Sequence, residues 1–268
     1  MKISNMCLLN DRETFRIYGS ETFDFLQSVI TADITPLKEN KAVASCLLSA
    51  QGRVMYDFIL YPEDNPELSL VVDCYASEKE ELIKKFSMYK LRSDVKIEDN
   101  INLNVAYSSL KDSTFFLDPR HKDLPYRYVI EKDKKKLLSD KEDEYKDIRL
   151  KLCIAEGPEE MPRGDALPLD FWMDRTSQVS FNKGCFIGQE VTARVFHRNK
   201  IRRRLITIEF NELDFDNKHL PRNFKFINKI SDYLLLLAPI DFIKQFDENS
   251  SRPQIELINK KYNFYYYN

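Results

Sequence analysis

Two apolar runs separated by a short turn constrain the fold of this chain more than any other feature. The runs cover residues 42–49 and 54–61, and Ala50-Gln51-Gly52-Arg53 lies between them. Apolar runs of this length predict β-strands, and a glycine in a short connection predicts a tight turn. The sequence therefore predicts a strand–turn–strand unit in this part of the chain.

The flanking segments alternate between strand-like runs and charged helical patterns. Residues 14–17 and 68–74 predict two further strands. Residues 20–30, with Ser20 as the capping residue, and residues 77–89 repeat apolar side chains every three or four positions, which predicts amphipathic helices. This mixed order indicates an α+β or mixed α/β fold. A run of charge over residues 131–151 predicts a solvated surface helix.

The cysteines and histidines limit the metal chemistry of the chain. Its 3 histidines are too few for a histidine-rich site, and its 5 cysteines lie far apart without a Cys-x-x-Cys pair. Sparse cysteines without a pairing pattern favour a reducing compartment. The N-terminus lacks a long apolar segment, and no apolar run approaches the length of a membrane span. These features predict a cytoplasmic protein that does not enter a membrane.

The stretch Lys183-Gly184-Cys185-Phe186-Ile187-Gly188-Gln189-Glu190 is the strongest candidate for a functional site. Only 6 of the 268 residues are glycine, yet two of them flank this cysteine. Glycine permits unusual backbone conformations and close approach of a ligand. The adjacent lysine and the start of a following helix would favour a thiolate. Taken alone, the residues leave two interpretations open: a reactive or metal-binding thiolate, or a buried cysteine in a glycine-constrained turn.

The same stretch resembles the signature of the YgfZ family of folate-binding proteins. The family pattern is Lys-Gly-Cys-aromatic-x-Gly-Gln-Glu, and residues 183–190 fill every specified position, with Phe186 where tyrosine is usual. The resemblance covers about residues 10–205 and is strongest over residues 170–205. Three further stretches resemble family segments: Ile30–Ile34 (ITADI), Leu47–Tyr61 (LLSAQGRVMYDFILY) and Ile154–Pro162 (IAEGPEEMP).

The resemblance implies the fold of the glycine-cleavage aminomethyltransferase, in which mixed sheets form a ring around a central folate pocket. It implies an α+β folate-binding region over residues 1–204, built from two interleaved subdomains, and a small β-barrel over residues 205–268. Because the second region contains no glycine, we expect that barrel to be shortened. Bacterial members of the family are connected with iron–sulfur proteins and tRNA modification, and mitochondrial relatives with iron–sulfur cluster assembly.

The resemblance also implies a ligand, partners and residue roles. Cys185 would be the key thiol of an iron–sulfur accessory factor, and Lys183 would favour its thiolate. Tetrahydrofolate or a derivative would be the ligand, and iron–sulfur client or carrier proteins would be the partners. Gln189 and Glu190 would fix the loop or cap the following helix. At two places where the family has aromatic folate contacts, this chain has Arg12 or Glu13, and Arg149. The residues expected at the ligand are Asp57, Trp172, Gly184, Gly188, Gln189, Glu190 and Arg194.

Two other functions stay open at this point. A folate-dependent aminomethyltransferase would share the fold, but that family has an acidic residue at the place of Cys185 and an Asp-Asp pair where this chain has Tyr56-Asp57. The comparison favours an accessory factor over an enzyme. The basic residues between 194 and 204 would suit RNA phosphates, the tail of a folate, or an exposed cationic face. Since the formal net charge is -2, direct binding of tRNA is disfavoured.

Overall fold

The fold combines antiparallel sheets with short helices. The computed structural model describes residues 6–63, 69–99, 101–110, 115–137, 142–210, 215, 220–246, 253–257 and 260–267. Within these residues there are three sheets, two with five strands and one with three. The helical and strand elements occur in mixed order along the chain, as predicted.

The first five-stranded sheet contains the predicted strand–turn–strand unit. In spatial order its strands are β3 (Val43–Leu48), β4 (Val54–Pro62), β5 (Ser69–Tyr75), β2 (Arg12–Tyr18) and β6 (Lys96–Glu98). β3 and β4 pair antiparallel, from Val43 opposite Leu60 to Leu48 opposite Val54. Every residue of β3 is buried, which explains why this run is apolar, apart from Ser45, rather than alternating.

Two predicted helices cover one face of this sheet. They are α1 (Thr22–Val29) and α2 (Lys79–Tyr89). The ring of Phe86 from α2 lies 5.7 Å from that of Phe58 in β4, and 6.1 Å from that of Phe25 in α1. The predicted capping role of Ser20 is wrong, because its hydroxyl donates to Asp94 Oδ2 at 2.6 Å and no side chain caps α1.

A three-stranded sheet lies on the other face. Its spatial order is β1 (Cys7–Leu8), β7 (Leu103–Ser108) and β8 (Tyr126–Glu131). The helix α3 (Glu142–Lys151) follows, and it buries Tyr145, Arg149 and Leu150. The prediction of a solvated helix over residues 131–151 is therefore wrong for its second half, because these side chains face the interior.

The third sheet forms the C-terminal part of the chain. In spatial order its strands are β10 (Lys225–Ile230), β11 (Tyr233–Pro239), β9 (Arg203–Glu209), β13 (Lys260–Tyr265) and β12 (Gln254–Leu257). No strand pairing in the described residues joins β10 to β12, so the sheet is not a closed barrel. Leu205 and Leu235 share one core cluster with Phe171 and Phe186, so the hydrophobic core continues across residue 204.

The remaining helices are short. They are α4 (Gln189–His197), α5 (Ile240–Ile243) and 3₁₀ helices over Thr35–Glu39, Ala76–Glu78, Lys132–Leu137 and Pro168–Phe171. None of the helices seen in the described part of the chain has the length and apolar character that a bilayer crossing requires.

Candidate functional site

The octapeptide lies directly against the family-like stretch Ile30–Ile34. The Lys183 ammonium donates to the backbone carbonyl oxygens of Ile30 at 2.8 Å and Ala32 at 2.7 Å. The backbone N–H of Ser180 donates to the carbonyl of Thr31 at 3.0 Å. Two stretches about 150 residues apart in sequence are thus joined by hydrogen bonds, a contact that no local pattern predicts.

Gly188 joins the octapeptide to the turn between β3 and β4. It has φ 77° at the start of α4, and a Cβ there would lie 2.4 Å from the carbonyl oxygen of Ser49 and 2.9 Å from Leu48 Cβ. Gly52, with φ 74°, lies opposite, and a Cβ added to it would lie 3.2 Å from the carbonyl oxygen of Gly188. These glycines allow two backbone segments to pack closely. Gly184 differs, because a Cβ there would meet nothing within 4 Å.

Cys185 is exposed to solvent. The other four cysteines are buried: Cys7, Cys46, Cys74 and Cys153. Burial raises the pKa of Cys46 to about 12, so its thiol stays protonated at neutral pH. The interpretation of Cys185 as a buried cysteine in a turn is therefore wrong, and the interpretation as an accessible thiol is consistent with the structure.

The loop that carries Cys185 is held at both ends. On the N-terminal side, the ring of Phe181 stacks on that of Phe196 in α4, with centroids 4.0 Å apart. On the C-terminal side, Gly188 packs against the β3–β4 turn. The exposed thiol is thus presented from a loop whose ends are both fixed to the fold.

Lys183 connects this loop to the Ile30–Ile34 stretch. Burial lowers the pKa of Lys183 to about 8, and the charge of Asp33 opposes that shift. The ammonium lies 5.4 Å from the ring centroid of Phe186, and its hydrogen bonds go to backbone carbonyls. The structure therefore gives Lys183 a positioning role, while its influence on the Cys185 thiolate stays a prediction.

The residues after Gly188 form the first turns of α4. Of the two roles predicted for Gln189 and Glu190, capping is wrong, because no side chain caps this helix, and fixing the loop stays a prediction. The Gln189 backbone N–H instead donates to the carbonyl of Phe186 at 3.2 Å. The Glu190 carboxylate accepts a hydrogen bond from Arg194 at 2.5 Å on the exposed side of the helix. Both residues remain ligand contacts by prediction only.

Trp172 lies in the core next to the third sheet. Its indole N–H donates to the carbonyl of Leu205 at 2.8 Å. Its ring lies under the guanidinium of Arg204 at 4.4 Å and stacks on Tyr267 at 6.1 Å. These contacts give Trp172 a packing role, and its predicted contact with a ligand stays untested.

Asp57 is also buried, at 4% exposure. Its Oδ1 accepts the backbone N–H of Gly157, in the family-like Ile154–Pro162 stretch, at 3.0 Å. Burial raises the pKa of Asp57, whereas the nearby charge of Arg12 lowers it. Among the predicted site residues, Asp57 is thus joined to the Ile154–Pro162 stretch rather than to the octapeptide.

Asp57 belongs to a buried ion-pair network that sequence analysis did not find. Arg127 alone contacts Asp73 at 2.5 Å, Asp118 at 3.1 Å and Glu156 at 3.0 Å. The members are buried arginines and carboxylates: Arg12, Arg120, Arg127, Arg149, Asp57, Asp73, Asp118, Glu156 and Glu160. Arg12 alone pairs with Asp73 and with Glu156, far along the chain, so no local pattern predicted the network.

This network decides whether a folate fits at Asp57. Arg12 and Arg149, which stand where the family has aromatic contacts, each make buried ion pairs, to Asp73 at 2.6 Å and to Glu160 at 2.5 Å. One buried nitrogen without a hydrogen bond, Arg12 Nη1, lies 3.4 Å from Glu156 and 4.0 Å from Asp57. A cavity for a pteridine would leave its lining side chains accessible, and these are buried. The residues around Asp57 therefore do not fit a folate.

Curated proteins with similar sequences include several mitochondrial iron–sulfur cluster assembly factors. The iron–sulfur cluster assembly factor IBA57 of Mus musculus, a mitochondrial protein, is 32% identical over 234 residues, which is 75% of this chain and 65% of the relative. The human protein of the same name is 30% identical over the same shares. Over three quarters of its length, the chain resembles the IBA57 proteins. A further IBA57 homologue, from Pyricularia oryzae, is 31% identical over 74% of this chain.

The similarity to IBA57 is partial in length. The chain spans 55% to 65% of these three relatives. No family model matches the chain. The relatives are mitochondrial, so the prediction of a cytoplasmic protein is wrong.

A solved structure establishes the fold. The glycine cleavage system aminomethyltransferase T from Bartonella henselae aligns with a TM-score of 0.66 over 98% of this chain and 84% of that protein. The sequence identity is 13%, so the likeness concerns the fold alone. The expected aminomethyltransferase-like α+β fold is confirmed.

Proposed function

We propose that this chain is an accessory factor of iron–sulfur cluster assembly, in which Cys185 binds iron or a cluster together with a partner protein. The IBA57 proteins that it resembles are named iron–sulfur cluster assembly factors. The observation that carries the proposal is the exposure of Cys185 on a loop fixed at both ends, while the other four cysteines are buried.

The chemistry follows from the thiol. A thiolate is a soft ligand that suits iron–sulfur clusters, and the thiol releases its proton when it binds metal. Among the described residues, no three His, Cys, Asp or Glu side chains are grouped so that they could hold a metal ion. Because stable clusters need several ligands, the remaining ones must come from a partner such as an iron–sulfur client or carrier protein.

The test is replacement of the thiol in cells that lack the native gene. We expect Cys185→Ala to leave the activity of iron–sulfur enzymes as low as in the deletion strain. The matched control is Gly184→Ala, the adjacent exposed position where an added Cβ meets nothing within 4 Å, and it should rescue like the wild type. Equal protein levels and melting temperatures show that both variants fold. Full rescue by Cys185→Ala would reject the proposed role of the thiol.

The role proposed for Cys185 involves neither folate nor direct binding of tRNA. Tetrahydrofolate is implied by the fold family, but the buried ion pairs around Asp57 do not fit it, so no step is assigned to a folate there. Any connection with tRNA would run through client enzymes that modify it. The likeness to the aminomethyltransferase, at 13% identity, supports no transfer activity.

A further inference from the structure

A dense run of positive charge follows the octapeptide. Residues 191–204 contain six arginines and lysines and no aspartate or glutamate, whereas the whole chain has a formal net charge of -2. Arg204 is buried and forms an ion pair with Asp174 at 2.5 Å. The other five cations lie at the surface and form what we call the basic face: Arg194, Arg198, Lys200, Arg202 and Arg203.

Most of this charge has no partner within the chain. Among the described residues, the four cations of the basic face that follow Arg194 form no ion pair, and Arg194 pairs only with Glu190 of its own helix. Several surface cations elsewhere do find carboxylates, as Lys225 does with Asp165. A cluster of uncompensated positive charge attracts an anionic surface and steers its approach.

The basic face adjoins the loop that presents Cys185. The exposed residues of α4 recur every three or four positions and so share one side of the helix: Glu190, Val191, Arg194 and His197. The helix starts directly after Gly188. Its last turn returns to the loop, because the ring of Phe181 lies 4.0 Å from that of Phe196 and 5.9 Å from that of His197. A protein that binds metal together with Cys185 would therefore contact the basic face as well.

An open cleft of about 600 Å³ lies beside the basic face and favours a protein over a nucleic acid as its occupant. Its lining includes Arg202 and Arg203, but also the carboxylate of Asp170. That carboxylate would repel a row of phosphates, whereas a protein surface offers amide or hydroxyl donors to it and carboxylates to the arginines. The apolar side chain of Val191, which is 38% exposed on α4, also suits a protein partner.

We propose that the basic face is a docking surface for an acidic surface of the iron–sulfur carrier or client protein that supplies the remaining ligands to a metal at Cys185. This inference rests on the function proposed for Cys185 and names the chemistry of its partner. Arginine suits the task, because its planar guanidinium binds carboxylates through two parallel hydrogen bonds. The attraction between the two surfaces would bring the ligands of the partner to the exposed thiol.

The first test is fluorescence anisotropy of a labelled peptide in which aspartate and glutamate alternate with serine. We expect the wild-type chain to bind it more tightly than the same peptide with asparagine and glutamine, and the affinity to fall as salt is added. Arg198→Glu with Arg202→Glu should weaken binding at least tenfold, since each change turns an attraction into a repulsion. The matched control is Arg92→Glu with Lys122→Glu, two exposed cations outside the basic face, and it should bind within twofold of the wild type.

Three results of this assay would overturn the proposal. The acidic peptide binds no better than its amide counterpart, the control pair loses as much affinity as the pair in the basic face, or single-stranded RNA of equal charge binds more tightly than the peptide and loses its affinity in the Arg198 and Arg202 pair. The last result would assign the basic face to nucleic acid. Equal melting temperatures show that both pairs fold.

The second test is rescue of iron–sulfur enzyme activity in cells that lack the native gene. The Arg198→Glu and Arg202→Glu pair should rescue poorly, and the control pair should rescue like the wild type. Full rescue by the first pair would reject the docking surface, even where Cys185→Ala fails to rescue. Cys185→Ala should bind the acidic peptide like the wild type, so its full rescue beside a poor rescue by the charge-reversal pair would reject the role of the thiol alone.

Discussion

Substitution of Gly188 by alanine is the sharpest test of how the Cys185 loop is held. The residue has φ 77°, a conformation that costs an alanine about 1–2 kcal/mol. The new Cβ would also lie 2.4 Å from the Ser49 carbonyl oxygen and 2.9 Å from Leu48 Cβ. Neither atom is the end of a flexible side chain, so the turn or the helix must shift, at a cost of about 1–3 kcal/mol. Together these effects predict a loss of about 2–5 kcal/mol in the free energy of unfolding.

The assay is thermal and urea unfolding followed by circular dichroism. For a domain of this size, each kcal/mol lowers the melting temperature by roughly 2–4 °C, so Gly188→Ala should melt roughly 4–20 °C below the wild type. Gly184→Ala serves as the matched control, because it changes the same residue type in the same loop without a contact or a positive φ. Its melting temperature should stay within about 2 °C of the wild type. Equal melting temperatures for the two variants would refute the packing argument.

Three further predictions concern titratable groups. Burial lowers the pKa of Lys183 from 10.5 to about 8, so the unfolded chain binds this proton more tightly than the folded chain does. The free energy of unfolding should therefore rise as the pH increases from about 8 to 10.5. Lys183→Met should abolish that rise in urea titrations, and an unchanged pH profile would contradict the burial of its ammonium. Burial, with the charge of Asp57, raises the pKa of Glu78 from 4.5 to about 7, so the folded state retains a proton that the unfolded state releases. The free energy of unfolding should therefore fall as the pH rises from 4.5 to about 7. Glu78→Gln should remove this fall and stabilise the chain at pH 8 by about 2 kcal/mol, measured by urea unfolding. Iodoacetamide at pH 8 should label one thiol of the native chain and none in Cys185→Ala, because the other four cysteines are buried and burial raises the pKa of Cys46 to about 12. The labelled residues are counted by mass spectrometry. A second labelled cysteine before unfolding would contradict the burial of the other four.

Local sequence patterns located most of the elements. The apolar runs at 42–49 and 54–61 contain β3 and β4, and the helical pattern over 77–89 contains α2. Their prediction succeeded because strand and helix periodicity reflect contacts within a few residues. Capping was less predictable, as Ser20 shows, because its hydroxyl found a partner 74 residues away.

The candidate site was only partly predictable. The octapeptide was recognised from its own residues, and its exposed thiol agrees with that interpretation. The close packing of Gly188 against the turn at Ser49 and Gly52 was not foreseen, and its contact with a ligand stays a prediction. An open cleft between the Thr35–Glu39 3₁₀ helix and residues 115–119 was also not foreseen, because its walls come from segments about 80 residues apart.

By itself the sequence determined the strand–turn–strand unit, the amphipathic helices and the motif that carries Cys185, because each is encoded by neighbouring residues. The tertiary structure alone decided what surrounds Asp57. A buried arginine requires carboxylates close to it, and the chain supplies them to Arg127 from positions 54 and 29 residues away. Such charge compensation depends on which strands and helices meet, so spacing along the chain contains no signal for it.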